Sequence, residues 1–257
     1  MSVVNLKSSR SPSGWELYDT LLAGMEQADA VVEEIIVGEA WTGVIAGGHM
    51  GVAMTVRQPG PQASFAPKAG QTLRETAEAI RSWKLEEASI GMAAINCFYN
   101  HVNRFRGGAG KDVFYENRDL IKGKTVATIG HFPLSLVFTE AAKELYILER
   151  VPSDGDYPDS ACEYLLPTCD VVFVTGSSLI NKTVTRLLQL AGGAVILTGP
   201  SVPMAEELLD FGITELAGFC VSDVEAARQT IIGNSCRGIF RTGQMINMNE
   251  SIRRKKQ

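Results

Sequence analysis

The sequence holds only three histidines in 257 residues, and its five cysteines form no CxxC pair. Cys162 and Cys169 stand seven apart, which matches no zinc-ribbon spacing, so a cysteine-based structural metal site is not expected. The odd cysteine count, and settings such as Gly218-Phe219-Cys220-Val221, predict reduced and buried thiols. A basic excess is missing as well. The formal net charge is −5 and the lysines and arginines are scattered, so no positive field exists to gather phosphate backbones, and nucleic acid is not an expected partner. The one basic run, Arg253-Arg254-Lys255-Lys256, reads as a solvated tail. No window approaches the roughly 18 uninterrupted apolar residues of a membrane span, and residues 1–10 lack the apolar core of a secretory leader. A soluble, cytoplasmic protein without a membrane partner is the expectation.

What is present suits a packed protein: 45% apolar and 21% charged residues. The pattern divides the chain into residues 1–105, a linker over 106–123 and residues 124–257. In the first part, a helix over 15–28 precedes β-rich runs at 31–37, 41–46 and 50–57. Gly38-Glu39-Ala40 and Gly47-Gly48-His49 join these runs as tight turns, giving a three-stranded antiparallel meander. Residues 58–70 carry Pro59, Pro61 and Pro67 and read as a surface loop able to serve as a lid. Helices are expected next over 72–82, with Thr72 and Glu75 as a capping box, and over 85–99. Residues 103–124 lose periodicity. Gly107-Gly108-Ala109-Gly110 precedes Lys111 without the strand or the spacing of a phosphate loop.

From residue 124 the pattern becomes apolar runs, at 125–129, 144–148, 171–175, 194–197 and 216–221, each succeeded by a turn and a helix. The helices are expected over 134–142, 160–165, 181–191, 204–211 and 224–232. Such alternation predicts an α/β fold with a Rossmann-like, doubly wound parallel sheet, since parallel neighbours require right-handed crossovers. The first part, with a meander and segregated helices, is α+β.

Ligands of open α/β sheets bind beyond the carboxyl ends of the strands. That rule selects Gly130 and Phe132 after the first strand, Glu149 and Arg150 after the second, Thr175, Gly176, Ser177, Ser178 and Asn181 after the third, and Gly199, Pro200 and Ser201 after the fourth. Gly130 and Glu149 stand 19 residues apart, as the first glycine and ribose-binding acid of a dinucleotide site do. His131 and Pro133 replace the glycine that would admit a pyrophosphate, which argues against ordinary NAD binding. Two readings stay open: a nucleoside-type ligand such as S-adenosylmethionine held by Glu149, or a site where His131 acts directly. Catalytic roles fall on His131 and Glu149. If the turn carrying His49 meets the loop carrying His131, the two imidazoles with Glu149 or Asp156 would make an N/O site for a divalent transition metal.

The order of Ile129-Gly130-His131-Phe132-Pro133, Glu149-Arg150, Leu166-Pro167, Asp170 through Gly176, Asn181-Lys182-Thr183 and Gly199-Pro200-Ser201 resembles the putative heavy-metal chelation family. Ala93-Ala94-Ile95-Asn96 and the turn between Gly43 and Gly51 resemble its companion N-terminal domain. The resemblance implies an enolase N-terminal-like domain joined to a Rossmann-like domain, with metal or metallocofactor binding in the cleft between them. The competing function is a small-molecule enzyme using a nucleoside-type cofactor, with His131 as acid or base. The expected partners are a metal or small-molecule ligand and, through an exposed antiparallel edge, a second copy of the chain as a homodimer.

Overall fold

The computed structural model describes residues 14–101, 103 and 112–249; the segments 1–10, 107–111 and 253–256 lie outside them. Helix α1 (Glu16–Ala23) leads into an antiparallel meander of β1 (Val32–Val37), β2 (Trp41–Ala46) and β3 (His49–Met54). Helix α2 (Leu73–Ala77) starts at the expected capping box, in which Thr72 and Glu75 satisfy each other's backbone amides. A 3-10 turn (Glu78–Arg81) then leads to α3 (Leu85–Tyr99). Alternation along β2 sends Val44 and Ala46 towards α3, whereas Trp41 and Ile45 join a second cluster with Phe219, Ala227 and Ile231. The small sheet is therefore covered on both faces. Gly51 is where β3 and α3 meet: a Cβ there would lie 2.0 Å from the backbone nitrogen of Cys97, a contact only glycine escapes.

The second part begins with two short helices, α4 (Val113–Glu116) and α5 (Arg118–Ile121), where the sequence pattern predicts linker. These four-residue turns are too brief to show helical periodicity, yet Val113, Phe114 and Ile121 are buried against Phe138 and Phe173. Next come β4 (Thr125–Ile129), α6 (Leu136–Ala141), β5 (Glu144–Glu149), a two-residue β6 (Tyr157–Pro158), α7 (Cys162–Leu165) and β7 (Val171–Thr175). The chain continues through α8 (Ser177–Ile180), α9 (Val184–Leu190), β8 (Ala194–Thr198), β9 (Glu215–Val221), α10 (Val224–Ile232) and β10 (Gly243–Asn249). The expected helix over 181–191 is displaced and broken, because Lys182 adopts a left-handed φ of 65° between α8 and α9. Residues 204–211 form only a 3-10 helix, Glu206–Phe211.

The strands form one seven-stranded sheet, β10-β9-β8-β7-β4-β5-β6, parallel except for the antiparallel β10. Counting from β4, the order is 3-2-1-4-5-6-7, the doubly wound pattern, with its reversal between β4 and β7. Val171 and Phe173 face the cluster under α4 to α6; Val172 and Val174 face a core shared with α1 and α3.

Two buried asparagines at the end of α3 tie the small sheet to the large one. Asn96, 1% exposed, donates to Val52 O at 2.8 Å and to Pro200 O at 3.1 Å. Asn100, one turn on, donates to Val202 O and Phe219 O and accepts from the Met204 amide at 2.8 Å. Met54 N–H donates to Ser201 Oγ, Trp41 Nε1–H to Cys236 O, and Lys182 Nζ to Ser82 O. The proline-rich loop is also held: the buried Glu87 carboxylate accepts from the amides of Ser64, Phe65 and Ala66 and from the Ser82 hydroxyl.

Replacing Asn100 with leucine leaves three buried backbone groups without partners, and urea unfolding should show a loss of about 3 kcal/mol or more. For Glu87, burial alone would raise the carboxyl pKa, but its hydrogen bonds outweigh burial and hold it below the ordinary value of 4.5. The resulting stabilisation is present above the unfolded-state value and is lost as pH falls through the folded-state value. Glu87→Gln should be about 1–3 kcal/mol less stable at neutral pH, with the difference from wild type closing on acidification. Urea melts along a pH series check both statements.

Candidate functional site

The carboxyl ends of β4, β5, β7 and β8 open onto a cavity of about 1180 Å3 whose opposite wall carries Trp41 and Met54 of the small sheet. At the end of β4, Gly130 takes a φ of 106°, and a Cβ there would sit 3.2 Å from the Thr175 Cβ. Only glycine turns the chain there without strain. Glu149, the last residue of β5, fixes the backbone on either side of it: one carboxylate oxygen accepts from the His131 amide at 2.8 Å and the other from the Arg150 amide at 3.0 Å. The acid that spacing suggested for a ribose hydroxyl instead ties together the turns after β4 and β5.

Asp156 performs the next step. Its side chain is 3% exposed, it accepts from the Ser153 amide at 2.9 Å, and Oδ2 lies 3.2 Å from Nδ1 of His131. An ionised carboxylate only accepts, so the neutral imidazole carries its proton on Nδ1. The Nε2 lone pair is left on a ring that is 55% exposed and lines the cavity. Such a nitrogen can serve as a general base or as a metal ligand.

The other strand ends supply neutral polar groups. Thr175, Ser177, Ser178, Asn181, Thr198, Gly199 and Pro200 line the cavity together with Gly130, Phe132, Glu149 and Arg150. Ser178 is 1% exposed, and its Oγ has no hydrogen-bond partner among the described residues. Arg150 reaches Gln58 at 3.0 Å and Asp159 at 3.8 Å, so the start of the proline-rich loop touches the rim.

Two expected ligand residues do not line the cavity. Gly176 is packed so that a Cβ would fall 2.8 Å from the Val202 backbone nitrogen; close packing, and not a ligand, requires glycine there. Ser201 is buried, and its hydroxyl accepts from Met54 N. His49, expected beside His131, is not among the residues that line the cavity either. Met54 reaches the cavity, but His49 begins the same strand five residues earlier, about 16 Å away along extended chain. The His49 ring stacks on His101, with centroids 4.3 Å apart. Among the described residues, no group of three or more His, Cys, Asp or Glu is placed to hold a metal.

Four cysteines are buried as expected, and burial pushes the Cys97 thiol up to about 12 and those of Cys162 and Cys169 up to about 11. Cys236 departs from that expectation: it is exposed and lines the cavity beside Arg237, Phe240 and Met245. These residues escaped sequence reasoning because they lie outside the parallel strand ends, where the α/β rule does not look. Asp156 could be found only as a nearby acid in a Ser-Asp-Gly-Asp turn.

Two family models match the chain, both described as putative heavy-metal chelation: DUF364 over residues 112–249 and DUF4213 over residues 18–99. The chain belongs to the DUF364 family. An uncharacterized protein of Methanocaldococcus jannaschii is 34% identical over 167 residues, which are 61% of this chain and 63% of that protein. The match thus spans just under two thirds of that relative. A DUF364 protein of unknown function from Desulfitobacterium hafniense has a crystal structure with a TM-score of 0.82 at 33% identity, covering 92% of this chain and 98% of the other. A second, from Pyrococcus horikoshii, is 24% identical with a TM-score of 0.75 over 91% and 98% of the two chains, and shows the shared fold. In this DUF364 protein, His131 Nε2 has no partner among the described residues, and Glu149 and Asp156, which hold backbone and ring partners, do not join it in a group of three placed to hold a metal. That set does not fit a closed cage around a bare ion, which takes about four protein ligands.

Asp156→Asn removes the charge that selects the tautomer. Long-range 1H–15N spectra of His131 should show a single Nδ1-protonated form in the wild type and a mixture in the variant.

Proposed function

We propose that the protein binds a metal carried within an organic ligand, a metallocofactor or metal chelate, in the cleft between the two sheets. The observation that carries this reading is the Asp156–His131 pair, which leaves Nε2 without a partner among the described residues on a ring that lines a cavity of about 1180 Å3. A bare ion would leave that volume empty, whereas an organic chelate brings most of its own donors and needs one or two from the protein. The shared family description, heavy-metal chelation, supports the metal half of the reading. The metal would supply Lewis acidity and an open coordination position. His131 binds and orients, Asp156 holds the ring, and Glu149 keeps the backbone turn in register.

A second reading is an enzyme on a small organic substrate with a nucleoside-type ligand such as S-adenosylmethionine. The unpartnered Ser178 hydroxyl, beside Thr175, Ser177 and Asn181, favours it as a socket for a polar group. In that case His131 is the general base.

Ferric haem, a planar chelate with open axial positions, serves as the probe. Wild type should give a saturable shift of the haem absorption band, abolished in His131→Ala and weakened about 10- to 100-fold in Asp156→Asn. Cobalt(II) alone should show no stoichiometric site. If haem and cobalt(II) both bind independently of His131, or neither binds while S-adenosylmethionine raises the melting temperature, the metal reading is overturned and the enzyme reading takes its place.

A further inference from the structure

The cavity has two chemically distinct ends. His131 and the hydroxyl-bearing strand ends make one. The other lies between the small sheet and the segment joining α10 to β10, and is formed by Trp41, Met54, Phe219, Phe240, Met245 and Arg237. Its rings are set edge to face: Trp41 and Phe240 have centroids 6.2 Å apart at 88°, and Phe219 and Phe240 are 5.9 Å apart at 74°. Trp41 and Phe219 are nearly buried, and beside them Phe240 is 47% exposed and Met54 38%. Large apolar groups left open inside a concavity, and not on a convex surface, are the mark of a ligand pocket.

The charge at this end is equally distinctive. Three arginines line the cavity. Arg186 is paired with Glu163, and Arg150 lies 3.8 Å from Asp159. Among the described residues, Arg237 has no acidic partner in ion-pair range, so its guanidinium offers a planar fork of donors to the cavity mouth.

The segment that carries it is braced. Cys236 O accepts from Trp41 Nε1 at 2.8 Å, Asn234 Oδ1 accepts from the Glu39 amide at 2.9 Å, and Arg228 of the preceding helix makes two bonds to Glu34 of β1, at 2.8 and 3.0 Å. Aromatic faces and polarisable thioethers therefore stand together before any ligand arrives, beside an arginine whose backbone segment is held.

We propose that this end of the cavity is a subsite for a flat conjugated ring bearing an anionic substituent, the ring lying against Phe240 and the thioethers and the anion taken by Arg237. The inference rests on the cavity but not on His131, so it stands whether the ligand carries a metal or is a substrate.

Naphthalene-2-carboxylate is the probe, with naphthalene-2-methanol as the ring without charge and acetate as the charge without ring. Isothermal titration and quenching of Trp41 fluorescence in the full chain should show saturable 1:1 binding of the carboxylate, weaker binding of the alcohol and none of acetate. Arg237→Gln, at an exposed position that should not disturb folding, should weaken the carboxylate about tenfold and leave the alcohol unchanged. Phe240→Ala should weaken both by about tenfold, with circular dichroism and melting temperature confirming that the variant folds. The proposal is overturned if wild type shows no saturable binding, or if the carboxylate binds equally well to both variants. Failure here leaves the haem titration to decide the His131 reading, and failure there leaves this subsite intact.

Discussion

The buried amides of Asn96 and Asn100 hold the molecule in its shape. Both sit on one face at the end of α3, four residues apart, and between them they reach β3, the turn after β8, the start of the 204–211 segment and the middle of β9. Apolar packing alone is tolerant of small slides between layers, whereas an amide in a dry interior must match its partners in distance and direction. The small sheet thus sits at one set position over the large one. Gly51 lets α3 come close enough to make these bonds, and Met54 and Trp41, on the same small sheet, arrive at the cavity wall as a result.

The same logic runs through the site. Three carboxylates that could have been taken as ligands are committed to architecture: Glu87 to the proline-rich loop, Glu149 to the turns after β4 and β5, and Asp156 to the ring of His131. Each satisfies backbone amides in loops that have no other secondary structure to do so. What remains to meet a ligand is an imidazole nitrogen, hydroxyls, aromatic faces, guanidinium groups, the Cys236 thiol and the scattered carboxylates of Asp112, Asp159 and Glu163, and among the described residues these donors form no group of three placed to hold a metal. That inventory suits recognition of a sizeable organic molecule better than capture of a naked cation.

Much of the fold was legible in the sequence because the runs at 125–129, 171–175 and 194–197 are short, β-rich and mostly apolar, a pattern that suits strands of a sheet covered on both faces. Strand β10 was not, since Gly243, Gln244, Asn247 and Asn249 dilute its β character and it gains its place by pairing with β9. The break at Lys182 was hidden as well: nothing local marks a lysine for a left-handed conformation, and its amine is drawn to Ser82 O across the molecule. At the site, most of the residues that the α/β rule picked out line the cavity, but they are a minority of its lining. The rule could not foresee that His49 would be carried to the far end of β3, nor that Trp41 and Phe240 would meet. Those outcomes depend on how two sheets pack, and that information is spread across asparagines and glycines with no local signature.

The aromatic end of the cavity also has a history in time. Trp41 and the Cys236 carbonyl that receives its indole proton are 195 residues apart in the chain. At synthesis rates of about 5–20 residues per second, the tryptophan waits some ten to forty seconds for its partner to emerge from the ribosome. For most of that interval the face of the small sheet destined for Phe219 and Ile231 has no cover, so one wall of the cavity stands as bare apolar surface on the nascent chain until β9 and α10 arrive.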